Sequence, residues 1–287
     1  MIDSKVLAAD ARALPPLSQA LHELLRLVHQ PNVSAEQLEK AILRDAALTA
    51  NLLRIANSPW FGLKRQVTSL AHAVTLVGLS RVNQMALTMS LQASLPQSLP
   101  GYGVTQSGFL AHSIAVGFLS ERIGKVALPD KTAPYFVAGL LHDIGKLILA
   151  RHLLEKQAQL TDGMLRNLTL LSAEREILGT DHTLVAQIVG TAWRLPPEVT
   201  AAAMGHHDPS GHLDSPFTGI IDVVHVANIT AHALGYGRDV AGLARSPDPE
   251  SFRRLGIRPS VMEHLVSECL EALVDACRAV TAEEPQQ

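Results

Sequence analysis

Apolar residues recur along most of the chain at the 3.6-residue period of a helix, and no stretch alternates with the period of a strand. After Pro15-Pro16, the positions Leu17, Leu21, Leu24, Leu25 and Val28 mark one helical face, which Gln30-Pro31-Asn32 ends. Ser34 with Gln37 three residues on is a capping-box arrangement, predicting a second helix through Leu38, Ile42 and Leu43. A third begins near Ala46 and carries Leu48, Leu52, Leu53 and Ile55. It is expected to stop at Asn57-Ser58-Pro59, where asparagine tolerates a left-handed cap and proline cannot continue. Shorter helices are expected at 69–76 and 80–95. Residues 1–14 read as a loosely held arm.

The Pro/Gly/Ser-rich stretch Leu95–Gly103 reads as a boundary. Beyond it helices are predicted at 105–125, 131–149, 151–160, 172–179, 182–194, 197–206 and 216–235. Asp130 and Ser172 are the expected N-caps, and Gly179 a C-terminal stop. Residues 238–258 are mixed, with Ser246-Pro247-Asp248-Pro249 as loop. A last amphipathic helix, 259–280, presents Met262, Leu265, Val266, Leu270, Leu273 and Cys277. The pattern predicts an all-α fold in three parts. These are an N-terminal helical subdomain over 1–99, a helical bundle over 100–240, and a C-terminal loop and helix over 241–287.

The totals narrow the setting. A 47% hydrophobic content suffices for a real core, and a net charge of -3 gives no bulk reason to bind nucleic acid or an anionic membrane. No apolar run reaches the roughly 18 residues of a membrane span. No basic segment precedes an apolar one at the start, so no signal peptide is expected. Two cysteines, eight positions apart on one helix, stand too far apart to bond each other. A cytoplasmic protein is expected.

Candidate chemistry centres on histidine. Within the apolar run Gly139–Leu147, His142 is followed directly by Asp143, and burying a carboxylate beside an imidazole calls for compensation. One reading is a hydrogen-bonded pair that only specifies packing. The other is a metal site completed by His112, His182, His206 and His207 from three further helices. Imidazoles with a carboxylate suit iron, zinc or manganese. Adjacent residues on a helix diverge by about 100°, so His142 and Asp143 would meet one ion only at a helix edge. His152, His212, His225 and His232 read as ordinary core or surface residues. Lys146, one turn after His142, reads as a solvated surface lysine; its alternative, catalytic role is to meet a substrate phosphate. Asp208 reads as a turn residue and Trp193 as a packing anchor. No organic cofactor motif is present.

Gly-Leu-Leu-His142-Asp143-Ile-Gly-Lys146 resembles the signature of the HD superfamily of metal-dependent phosphohydrolases. Leu14-Pro15-Pro16, Ile42–Thr49, Leu53–Ser58 and Ala73-Val74-x-x-Val77-Gly78 narrow the resemblance to the HDOD family of bacterial signalling output domains. His112-Ser113, Gly179–His182, Trp193-x-Leu195-Pro196 and His206–Pro209 continue it in order, over about residues 10–240. The resemblance implies a helical N-terminal part packed on an HD-like bundle. It also implies metal ligands at His112, His142, Asp143, His182, His206 and His207. The remaining ligand position, an aspartate in metal-bearing relatives, is Asn228 here, a weaker neutral oxygen. Asp222, six residues earlier, is turned too far round the helix to replace it. Asp208–His212 stands where the cyclic-di-GMP-cleaving branch has Gly-Tyr-Pro, which argues against that activity.

Three functions share these residues. The first is a non-catalytic signalling module whose output is a protein contact or a response to a small ligand. Trp60, Phe61, Lys64 and Arg65 are its candidate partner surface unless the two aromatics are simply buried. The second is a metal-dependent phosphohydrolase acting on a nucleotide or phosphoester, and the third an oxygen- or redox-sensing iron site. The last helix would close the core or mediate homodimerisation.

Overall fold

The computed structural model describes residues 2–14, 18–28, 33–57, 66–129, 133–166, 168–237 and 247–281. The fold is all-α. In chain order the helices are α1 (Ser4–Ala13), α2 (Gln19–Val28), α3 (Ala35–Leu43), α4 (Ala46–Ala56), α5 (Leu70–Val77) and α6 (Leu79–Ser94). A two-stranded hairpin, β1 (Ser98–Leu99) with β2 (Val104–Thr105), follows. Then come α7 (Gln106–Ala127), α8 (Tyr135–Leu141), α9 (Lys146–Leu153), α10 (Gln157–Leu165), α11 (Leu170–Leu178) and α12 (His182–Ala192). The last four are α13 (Pro197–Gly205), α14 (Thr218–Ala233), α15 (Pro249–Arg254) and α16 (Pro259–Thr281). Among the described residues, no helix is long and apolar enough to cross a membrane.

The chain divides into two compact units, Met1–Pro16 with Leu95–Leu270, and Leu17–Ser94 with Glu271–Gln287. In the second unit α2, α3 and α4 pack around α6, with Leu24, Leu38, Ile42 and Leu52 fully buried. Ser34 accepts from the Gln37 N–H while Gln37 Oε1 accepts from the Ser34 N–H, so the expected capping box is present. Asn57 does end α4, but with φ -89° and not in a left-handed cap. Its side chain instead donates to the Leu53 and Val67 carbonyls and accepts from the Val67 N–H. Trp60, Phe61, Lys64, Arg65 and Asp130 lie outside the described residues.

In the first unit α7 runs through the middle, against α8 and α14, with α13 packed on both of those. Leu110, Ile114 and Leu119 of α7 are buried, each contributing about 1.5–3 kcal/mol by leaving water. Gly139 sets the α7–α8 approach. A Cβ there would lie 2.6 Å from both the Val116 carbonyl and Ser120 Oγ, so only glycine lets the helices close. The N-terminal residues are no loose arm. Asp3 caps α1, whose Leu7 and Ala11, one turn apart, are buried as it packs on α12 and α9. Thr169, not Ser172, caps α11 and takes the Ser172 N–H, while Gly179 closes the helix in the expected left-handed conformation.

The helix expected over 131–149 is broken. After α8 the backbone tightens to bonds between Leu141 and Ile144, Asp143 and Lys146, and Ile144 and Leu147, before α9 begins. Such three-residue spacing narrows and re-aims the chain. Gly145 explains why the break falls here: its Cα faces the His182 carbonyl so closely that a Cβ would stand 1.9 Å from that oxygen. The break therefore rests on contact with α12, which periodicity cannot register.

Candidate metal centre

Each candidate ligand sits at a helix end or on a helix edge. His112 is on α7, His142 ends α8, Asp143 lies in the tight turn, His182 opens α12, and His206 ends α13 with His207 next to it. Helix ends free these side chains from the strict 100° rotation, so His142 and Asp143 reach one centre. The structure brings six of the seven expected residues into two overlapping groups, Asp143 with His182, His206 and His207, and His112 with His142 and Asp143. Asp143 belongs to both. The seventh, Asn228, is buried on α14, and its Oδ1 accepts no hydrogen bond from the described residues.

Around Asp143 Oδ1, His182 Nε2 stands at 3.5 Å and His206 Nε2 at 3.6 Å. All three atoms are buried, and none makes a hydrogen bond among the described residues. Around Oδ2, His142 Nε2 stands at 3.4 Å and Lys146 Nζ at 2.7 Å, while His112 Nε2 lies 3.2 Å from His142 Nε2.

The far side of each ring fixes what the near side offers. His142 Nδ1 donates to the Gly139 carbonyl at 2.7 Å, and His206 Nδ1 to the Ala203 carbonyl at 2.9 Å. A carbonyl can only accept, so in the neutral ring Nε2 presents a bare lone pair. His182 Nδ1 donates to Glu174 Oε2 at 2.8 Å. Glu174 also accepts from the His182 N–H at 2.9 Å and from Tyr102 Oη at 2.6 Å. Partners of this kind orient metal-binding imidazoles.

Burial drives the His206 pKa down to about 3, so the ring is neutral near pH 7. Burial by itself would raise the Asp143 pKa, but the Lys146 ammonium beside it holds its carboxyl well below the usual range. The centre thus combines an ionised carboxylate with inward lone pairs. Two ligands each about 2.1 Å from one ion stand about 3.0–3.4 Å apart at tetrahedral or octahedral angles, close to the separations seen. The cluster can hold a metal ion.

Lys146 is a correction to the expected surface lysine. It is 4% exposed, bound to Asp143, with Nζ 5.5 Å from the Tyr102 ring centre. The cavity beside it, lined by Tyr102, Phe109, His112, Asp143 and Lys146, measures about 20 Å³, enough for one water-sized body.

Sequence reasoning missed Glu174, Tyr102 and the roles of His225 and His232. The His232 ring lies 4.6 Å from that of His112. His225 Nδ1 donates to the His206 carbonyl at 2.7 Å, and its Nε2 accepts from the Asp248 N–H at 2.9 Å, tying the start of α15 to the centre. Asp222 accepts from Arg254 at 2.6 and 2.8 Å and from Ser251 Oγ at 2.7 Å, an engagement apart from the metal cluster. Glu174 had a signal: it shares the buried face of α11 with Leu170, Ala173 and Leu178.

The profile of the HDOD domain matches residues 14–209. An uncharacterised protein of Treponema pallidum (strain Nichols) is 26% identical over 235 residues, 77% of this chain and 42% of its own length. This chain thus spans less than half of that relative. An HDOD domain protein of unknown function from Geobacter sulfurreducens superposes with a TM-score of 0.69 at 22% identity, covering 97% of this chain and 98% of the other. A candidate phosphohydrolase from Shewanella amazonensis SB2B gives 0.72 at 18% identity, covering 96% and 97%. At such identities these two structures bear on the fold alone.

Proposed function

The chain belongs to the HDOD domain family, and on that footing we propose that it is a cytoplasmic signal-transduction or regulatory module. In this reading its HD-like part holds a divalent transition metal (iron, zinc or manganese) as a structural element and turns over no substrate. Its output is contact with a protein partner or a response to a small ligand.

One observation carries the reading. The convergent ligand set is buried, and the cavity reaching it has room for about 20 Å³, whereas sites for nucleotide-sized ligands run to about 300–1,000 Å³. A water-sized body fits there, and a nucleotide would need the cavity to widen. Metal content of the untagged protein, measured by mass spectrometry beside Asp143→Ala and His206→Ala, tests the metal. The expected result is a stoichiometric metal lost in both variants. A phosphoester panel run on the loaded protein tests the rest, with no turnover expected. Turnover abolished by Asp143→Ala in a folded protein would sink the non-catalytic reading.

The buried Lys146 favours one alternative, a metal-dependent phosphohydrolase acting on a nucleotide or phosphoester. A bound metal there would supply a Lewis acid and a lowered water pKa, and Lys146 would meet a phosphoryl oxygen at the cavity. That reading requires the cavity to open.

A further inference from the structure

The two halves of the centre differ in how far the protein itself satisfies them. On the Oδ1 side, Asp143 Oδ1, His182 Nε2 and His206 Nε2 are buried and lack hydrogen bonds among the described residues, and the half-buried His207 completes the group. Buried polar atoms without partners are costly, and three that converge within about one ligand–ligand separation call for a cation. On the Oδ2 side the atoms already pair. Lys146 Nζ donates to Oδ2 at 2.7 Å, and His112 Nε2 lies within hydrogen-bond distance of His142 Nε2 at 3.2 Å.

Charge points the same way. Asp143 is the carboxylate of both groups. Glu174 is one layer out, engaged with His182 and Tyr102, and Asn228 is neutral. An ion on Oδ2 would stand within about 5 Å of the Lys146 ammonium, given a metal–oxygen bond of about 2.1 Å. One carboxylate would then face two divalent ions and a lysine.

Resting on the metal reading above, we propose that the centre takes a single metal ion. The ion is held by Asp143 Oδ1, His182, His206 and His207, and the Lys146 ammonium stands as the second positive charge at Oδ2. His112 and His142 then form a hydrogen-bonded pair, with Lys146 retaining the carboxylate oxygen that a second ion would need.

The test loads the full chain with excess Mn²⁺ or, separately, Zn²⁺, removes unbound ion by gel filtration, and measures metal per chain. The expected result is one ion in the wild type, retained in His112→Ala and lost in His207→Ala. Lys146→Met is expected to take up a second ion, with circular dichroism confirming its fold. Two ions in the wild type overturn the proposal while leaving the metal reading intact. One ion that follows His112 and not His207 overturns it as well. A Lys146→Met protein that folds and still takes only one ion removes the role given to the lysine. No ion in any protein overturns the metal reading itself.

Discussion

Replacing Gly145 with alanine should dismantle the centre without touching a ligand. The residue has φ -64°, which any amino acid adopts, so backbone conformation is not the reason for glycine. Space is. A Cβ would lie 1.9 Å from the His182 carbonyl oxygen, 2.8 Å from its carbon and 2.9 Å from the Ala186 nitrogen. These are backbone atoms, so no side-chain rotation relieves the clash. Real Cβ contacts stay beyond 3.0 Å, so the turn and the start of α12 must separate by about 1.1 Å, the difference between 3.0 and 1.9. Taken along the line between them, that shift stretches His182 Nε2 to Asp143 Oδ1 from 3.5 Å towards 4.6 Å, beyond the roughly 3.4 Å at which two ligands share an ion. Overpacking of this kind costs about 1–3 kcal/mol, and a backbone clash belongs at the upper end. Chemical denaturation and metal titration of Gly145→Ala measure both effects. Gly163→Ala, whose Cβ would meet only the Ala173 Cβ at 3.1 Å as its nearest neighbour, is the control and should change stability by about 1 kcal/mol or less. Wild-type stability and metal affinity in Gly145→Ala would refute the account of the turn.

Three other outcomes are expected. Glu174→Gln keeps the shape but removes the charge that accepts from His182 and Tyr102, so metal affinity should fall about 10- to 100-fold, by calorimetric titration. For the metal-free protein, His206 has a folded pKa below its unfolded one, so the unfolded chain binds the extra proton. Stability should be full above about pH 6.5 and decline as pH falls towards 3, and urea melts across that range should show a shallower slope in His206→Gln. Arg194 has φ 52°, a left-handed conformation costly for a residue with a Cβ. Arg194→Gly should therefore raise stability by about 0.5 kcal/mol in a thermal melt, the strain relieved slightly exceeding the added chain entropy.

Local chemistry was legible in the sequence and contact between distant segments was not. The Ser34–Gln37 box and the Gly179 stop follow from residues within a turn of each other. The histidines stood out because imidazoles in apolar runs are conspicuous. The break at 142–145 was hidden because the residues from Tyr135 to Leu153 are mostly apolar and the backbone that crowds Gly145, at His182 and Ala186, lies far along the chain. Lys146 looked solvated because a single lysine at a helix start carries no mark of its neighbours. Glu174 could have been caught as a carboxylate on an apolar stripe, and α1 from Asp3 with Leu7 and Ala11.

The depth of the centre bears on traffic as well as on affinity. His142, His182 and His206 are each 0% exposed and Asp143 1%, and they come from α8, its turn, α12 and α13. With Asp143, His182 and His206 closed off from solvent, an ion held there would leave as some of these helices part. Its release would keep the clock of local unfolding, and a chelator in the surrounding solution would strip it at a rate insensitive to chelator concentration. The protein would then carry its ion for a lifetime set by its own packing, indifferent to short swings in the metal supply around it.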